Sequence, residues 1–210
     1  MLETHRLAAR RGYAWLFADL DLCVAPGEVL VVTGPNGSGK TTLLRILAGL
    51  ALPTEGEVRW QGERVGPFDA RLRECVAFNG HLPALKDELT AEENLRAWTT
   101  LEANLLTPHA LVDALDAVGL SAQRALPARI LSQGQRRRIG LARLRLSRRV
   151  LWILDEPLTA LDHAAIDSLG ALLDAHAEGG GLCVLASHQS LPIAASRTRS
   201  LALAGAAHAD

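Results

Sequence analysis

Short apolar runs and helical periodicities alternate along most of the chain. Runs suited to buried strands occupy residues 29–33, 76–78, 150–154 and 182–186. After the first, a glycine-rich turn leads into residues 41–50, where Leu43, Leu44, Ile46, Leu47 and Leu50 form an apolar helical pattern. Strand, glycine loop and helix in that order make a β-α unit. From about Asp87 to Arg149 the texture changes to helices with no obvious strand. Thr90-Ala91-Glu92-Glu93 reads as a capping box, in which the threonine and the glutamate each satisfy the other's free amide, and it opens a helix through about Glu102. Pro108 begins another, which Gly119 ends. Ser132-Gln133-Gly134-Gln135 caps a third, carrying Ile139, Ala142 and Leu146, and the helix after Pro157 is expected to bury Ile166, Leu169 and Leu173. Strands alternating with helices, interrupted by one helical block, predict an α/β fold: a parallel-sheet core with a helical insertion.

Bulk properties narrow the class. With 210 residues, 49% of them hydrophobic, the chain suits one domain with a sizeable core. A formal net charge of −1 provides no strong field toward nucleic acid or an anionic membrane. Seven arginines (136, 137, 138, 143, 145, 148 and 149) form a basic cluster without interleaved aromatics. They are expected to be a solvated helix face rather than a nucleic-acid surface. Residues 1–6 lack a signal-peptide pattern, and the longest stretch without formal charge, 179–196, contains three glycines and Pro192. The chain is therefore expected to be cytosolic by itself and to reach a membrane only through a partner. The three cysteines, Cys23, Cys75 and Cys183, offer neither a disulfide framework nor a metal knuckle and are expected to be small buried hydrophobes.

The chemistry enters with Gly34-Pro35-Asn36-Gly37-Ser38-Gly39-Lys40-Thr41, which satisfies the phosphate-loop pattern G-x-x-x-x-G-K-[ST]. Its glycines let successive backbone N–H groups face inward as a nest for phosphate oxygens, and the following helix adds its N-terminal partial charge. Lys40 is expected to reach the β- and γ-phosphates of ATP and the Thr41 hydroxyl to ligate Mg²⁺, with Thr42 completing the nucleotide-binding set. The run from Val150 to Leu154 then ends in two carboxylates, Asp155 and Glu156. A buried strand delivers Asp155 rigidly beside the loop to hold Mg²⁺ through a water. Glu156, one residue on, points toward an attacking water as general base.

Two further segments resemble the ABC ATPases. Leu131-Ser132-Gln133-Gly134-Gln135 resembles their L-S-G-G-Q signature, with Gln133 in place of the first glycine. The resemblance implies their fold: a phosphate-loop core with a mostly parallel sheet and an N-terminal antiparallel β region over residues 1–86 and 150–210, and a helical subdomain over 87–149. It also implies a head-to-tail dimer in which Ser132, Gly134 and Gln135 of one copy complete the nucleotide site of the other. Ala160-Leu161-Asp162 looks like the D-loop and His188 like the switch histidine at the γ-phosphate. In the place where these proteins stack a side chain on adenine stands Arg11, with Tyr13 nearby as the alternative. The glutamine that usually follows the strand at 76–78 is replaced by His81, which could hydrogen-bond a metal-bound water or merely face solvent.

A narrower resemblance, to the small ATPase of the cytochrome c maturation system (the CcmA family), rests on three segments. These are Gly80-His81 through Asn94-Leu95, Leu131 through Arg138 with Leu141-Ala142-Arg143-Leu144, and Leu151-Trp152 through Asp162. It implies an integral membrane subunit and further cytochrome c maturation membrane proteins as partners, haem as cargo, no nucleic acid, and a position at the cytoplasmic face of the inner membrane. An ATPase of another small-substrate exporter, or a soluble ABC ATPase of iron–sulfur assembly, would carry the same core motifs.

Overall fold

The computed structural model describes residues 1–101 and 106–204. The chain opens with β1 (Leu2–Arg11), β2 (Ala14–Val24) and β3 (Val29–Thr33), then α1 (Lys40–Leu47), β4 (Glu55–Trp60) and β5 (Glu63–Val65). There follow α2 (Ala70–Cys75), β6 (Val76–Asn79), α3 (Ala91–Leu101), α4 (Pro108–Asp116) and α5 (Gln133–Leu146). The chain returns to β7 (Leu151–Asp155), α6 (His163–Glu178), β8 (Leu182–Ala186) and β9 (Thr198–Ala202). Strands β2-β1-β4-β5 form an antiparallel sheet, and β6-β7-β8-β3-β9 form a parallel one.

β7 and β8 lie inside the parallel sheet and are buried at every position. That is why their sequences are apolar runs rather than alternations. The two faces nevertheless go to different cores. Leu151, Ile153, Leu182 and Val184 pack with Leu43, Leu44 and Leu47 of α1 and with Leu2, Leu7 and Val24 of the antiparallel sheet. Trp152, Leu154, Cys183 and Leu185 pack with Ile139, Leu144, Leu169 and Leu173 of α5 and α6. The period of two continues past Ile153, so Asp155 faces the α1 side, where the phosphate loop ends.

Several expectations are corrected. The first helix ends at Leu47, not at residue 50, because Gly49 (φ 68°) closes it: the Gly49 amide donates to Ile46 O (3.0 Å) and the Leu50 amide to Arg45 O (2.8 Å). The helix after Pro157 starts only at His163, where Asp162 accepts from the Ala165 amide (3.0 Å). Ile166 is half-buried, while Leu169 and Leu173 are fully buried. Glu102, the expected end of α3, lies outside the described residues. Strand β9 has no distinctive apolar run, and it joins the sheet through its parallel pairing with β3. Cys183 is buried, which pushes its thiol up, but Cys75 is half-buried and Cys23 is exposed on β2. Both capping boxes are present, Thr90 with Glu93 and Ser132 with Gln135. The Thr90 amide and hydroxyl hold the Glu93 carboxyl below the usual range.

Candidate functional site

The loop from β3 to α1 has Gly34, Gly37 and Gly39 at φ 142°, 86° and 99°. A Cβ at Gly39 would stand 2.9 Å from Leu16 Cβ and 3.2 Å from the Phe17 ring, so a side chain there fails on both backbone and space. Gly39 caps α1 without a side-chain hydrogen bond, and the first turn carries no acidic residue. The positive helix end is therefore left for an anion. Ser38 Oγ is buried without a hydrogen-bond partner.

Lys40, only 7% exposed, folds back over this loop. Its Nζ donates to Gly34 O (2.8 Å) and Pro35 O (3.2 Å) and lies 2.9 Å from His188 Nε2. An ammonium only donates, so His188 Nε2 accepts and its proton sits on Nδ1. The 3.4 Å approach of the same Nε2 to Glu156 Oε1 then carries no hydrogen bond. Thr41 Oγ1 donates to Asp155 Oδ2 (2.9 Å), and Asp155 is 2% exposed at the end of β7. These two hard oxygen donors suit Mg²⁺. A lysine whose donors are spent on two carbonyls of its own loop and on His188, an idle buried hydroxyl and an open helix end suit polyphosphate.

Glu156 extends the ladder by one amide, donating to Ala186 O (3.1 Å), then turns into the left-handed region at φ 51°. For a non-glycine residue this costs on the order of 1–3 kcal/mol, so its surroundings must hold it. Arg137 Nη1 on α5 donates to Glu156 O (2.9 Å).

Together these elements open a cleft of about 300 Å³. It is lined by Asn36, Gly37, Gly39, Lys40, Thr41 and Thr42, by Asp155 and Glu156, and by Arg11 and His81. Of the two candidates for adenine stacking, Arg11 lines the cleft, while Tyr13 projects from the two-residue turn after β1 and is fully exposed. Ser132, Gly134 and Gln135 do not line it; they form the first turn of α5, where Ser132 is exposed.

The reading of the seven arginines as a solvated face holds for Arg145 and Arg148, which are exposed, and is corrected for the other five. Arg137 is buried, and Arg138 bridges to Asp162 at 2.6 Å. Arg136 bridges to Asp87 at 2.6 Å, and the Arg143 guanidinium lies over the Trp98 ring. Arg149 donates to Glu74 O. Composition could not separate these roles, because each partner is remote in sequence or on another element. Arg137 and Arg138 lie five and six residues beyond Ser132, and that adjacency was the one available signal.

A parallel sheet whose strand ends carry a glycine loop, an aspartate–glutamate pair and a histidine around one phosphate-sized cleft defines a phosphate-loop ATPase with an added antiparallel sheet. The ABC transporter family model matches residues 17–159. Among curated proteins, the cytochrome c biogenesis ATP-binding export protein CcmA of Nitrosomonas europaea is 45% identical over 97% of this chain and 95% of its own. The proteins of that name from Aromatoleum aromaticum (49% identical, 94% and 93% covered) and Pseudomonas aeruginosa (48%, 94% and 98%) are similar. Among solved structures, an ABC transporter ATP-binding protein from Pyrococcus furiosus superposes with a TM-score of 0.82 at 23% identity, covering 95% of this chain and 96% of that one. The dimeric structure of MJ0796, a bacterial ABC transporter cassette, superposes with 0.79 at 25% identity, covering 90% and 88%. The chain belongs to the ABC transporter family and, within it, to the CcmA family of cytochrome c biogenesis ATP-binding export proteins. It is an ATP-binding ATPase.

Proposed function

We propose that this ATPase powers a membrane exporter of cytochrome c biogenesis, with haem as cargo, and that it works as a head-to-tail dimer. The observation carrying the dimer is the placement of the signature. Ser132, exposed, and Gly134 and Gln135, half-buried, form a capped helix start away from the chain's own cleft, and a second copy turned head to tail would bring that turn over it. Residues 87–149 act as a helical subdomain of one domain whose core is 1–86 and 150–210. No helix among the described residues is long and apolar enough to cross a membrane. Attachment at the cytoplasmic face of the inner membrane would run through an integral subunit. The loop from His81 to Thr90, with Leu82 76% exposed, is the surface assigned to it.

In the reaction, Lys40 exchanges its loop carbonyls for β- and γ-phosphate oxygens, and the free amides of the α1 start hold the rest of the phosphate chain. Thr41 and Asp155 would hold Mg²⁺, whose charge offsets that of the phosphates. Arg11 stacks on adenine through its guanidinium plane. Glu156 orients the attacking water and takes its proton, His188 passes from Lys40 to the γ-phosphate, and His81 closes the site beside Asp155 and Glu156.

Glu156→Gln tests this reading. The variant should bind ATP, hydrolyse it about 10²–10⁴-fold more slowly, and elute as an ATP-dependent dimer with light-scattering detection. Retained turnover would remove Glu156 as base, and an ATP-loaded monomer would remove the dimer. Co-purification of the wild type with its membrane subunit, followed by haem analysis, separates this cargo from another small substrate.

A further inference from the structure

Helix α5 touches the segment after β7 at three successive points. A Cβ on Gly134 would stand 2.7 Å from Ala160 O, so the first turn of α5 leans directly on that backbone. One turn further, Arg137 Nη1 donates to Glu156 O at 2.9 Å, and Arg138 Nη2 pairs with Asp162 at 2.6 Å. Both residues on which the segment pivots, Glu156 (φ 51°) and Ala160 (φ 61°), are non-glycines in the left-handed region. A backbone held there depends on its neighbours for its direction.

Arg137 is the unusual member of the three. It alone of the two arginines is buried, at 9% exposed, and its Nε, like that of Arg138, has no hydrogen-bond partner. A guanidinium normally fills its five donors, and this one is retained in the interior with one of them unmet. What it does reach is the carbonyl of the residue whose carboxylate lines the cleft. A rotation of the 156–157 peptide would swing that carboxylate relative to His188 and Asp155.

We infer that Arg137 is a positioning residue. It sets the backbone of Glu156 from the signature helix, and so ties the nucleotide site completed by α5 to the site served by Glu156. This rests on the proposed dimer, in which the two are different sites: the start of α5 faces the partner's nucleotide, while Glu156 acts on its own. Closure of α5 onto the partner's nucleotide then carries Arg137, and with it Glu156, into register. Hydrolysis at one site thereby depends on occupancy of the other.

The test compares wild type, Arg137→Met, Arg137→Gln and Glu156→Gln, each as the full chain in its purified complex with the membrane subunit. ATPase rate is measured against ATP concentration, nucleotide affinity with methylanthraniloyl-ATP, and the unfolding midpoint in parallel. Arg137→Met fills the same space without a donor and should lower kcat about ten- to a hundredfold. Its nucleotide affinity should stay within about twofold of wild type, and its Hill coefficient should fall toward unity. Arg137→Gln restores an N–H donor and should recover most of the rate and the cooperativity. Wild-type kcat and Hill coefficient in Arg137→Met would overturn the inference. So would equal losses in both Arg137 variants that track a lowered unfolding midpoint, since that is a packing role alone. If Arg137→Met does not fold, Arg137→Leu, which also lacks a donor, takes its place and is judged by the same outcomes. Glu156→Gln separates the two levels. If it is arrested while Arg137→Met is normal, only the coupling fails; if it turns over normally, the reading of Glu156 fails and the inference with it.

Discussion

His81 lines the cleft with Asp155 and Glu156, and we propose that it acts there on a metal-bound water, a task a glutamine could also perform. Either side chain can exchange hydrogen bonds with a metal-bound water, and alanine cannot. His81→Gln is therefore expected to keep the ATPase rate of the assembled complex within about threefold, while His81→Ala should lose about tenfold, the worth of one well-placed hydrogen bond. A steady-state assay on both variants decides it, and a fully active His81→Ala would make the imidazole a bystander. The residues of this cleft were unequally legible. Gly34 through Thr41 act on one another across a few bonds, so their spacing alone implied their geometry. Arg11 and Tyr13 are two residues apart on one hairpin, and only the placement of that hairpin over the loop separates the one lining the cleft from the one in solvent.

At the scale of the element, β7 is the part on which the site depends most. Its five residues are all buried, and Ile153 is fully enclosed between β6 and β8, two positions before Asp155 on the same face. Ile153→Val should cost about 0.5–1.5 kcal/mol and Ile153→Ala about 2–5 kcal/mol in urea unfolding. The alanine variant should also weaken ATP binding, because the cavity lies directly beneath Asp155, which lines the cleft. An alanine variant as stable as wild type would mean that the site can collapse around the gap. Strands β3, β6, β7 and β8 were readable from apolar runs and the starts of α3 and α5 from capping boxes, but β9 and the antiparallel strands carried no such run, and the limits of the elements were not readable. Gly49 ends α1 three residues early through hydrogen bonds that outcompete an apolar pattern, and Asp162 rather than Pro157 caps the start of α6.

For the whole molecule, acid stability turns on a contact between layers. His176 of α6 stacks on Trp152 of β7, with ring centroids 3.7 Å apart and planes within 8°. Burial holds its pKa below the ordinary 6.5. The unfolded chain thus takes up a proton at a pH where the folded one resists it. The resulting stability is fully present above about pH 6.5 and is lost as pH falls through the depressed folded value. Melting temperatures of wild type and His176→Phe between pH 7.5 and about 5 should show a shallower acid decline in the variant, whatever the larger ring costs in absolute stability. Parallel slopes would assign the decline to other groups.

The sequence alone determined the phosphate loop, the carboxylate pair at a buried strand end, the two capped helix starts and the family resemblance they carry. Each is written within a few consecutive residues, where hydrogen bonds and backbone preference act locally. Only the tertiary structure decided that Arg137 is an interior group on Glu156 rather than part of a solvated face, that Arg138 pairs with Asp162, and that β9 completes the sheet beside β3. Those outcomes depend on which surfaces meet across 19, 24 and about 170 residues of chain. An arginine in a helix reads the same whether its outward neighbour is water or another strand's carbonyl.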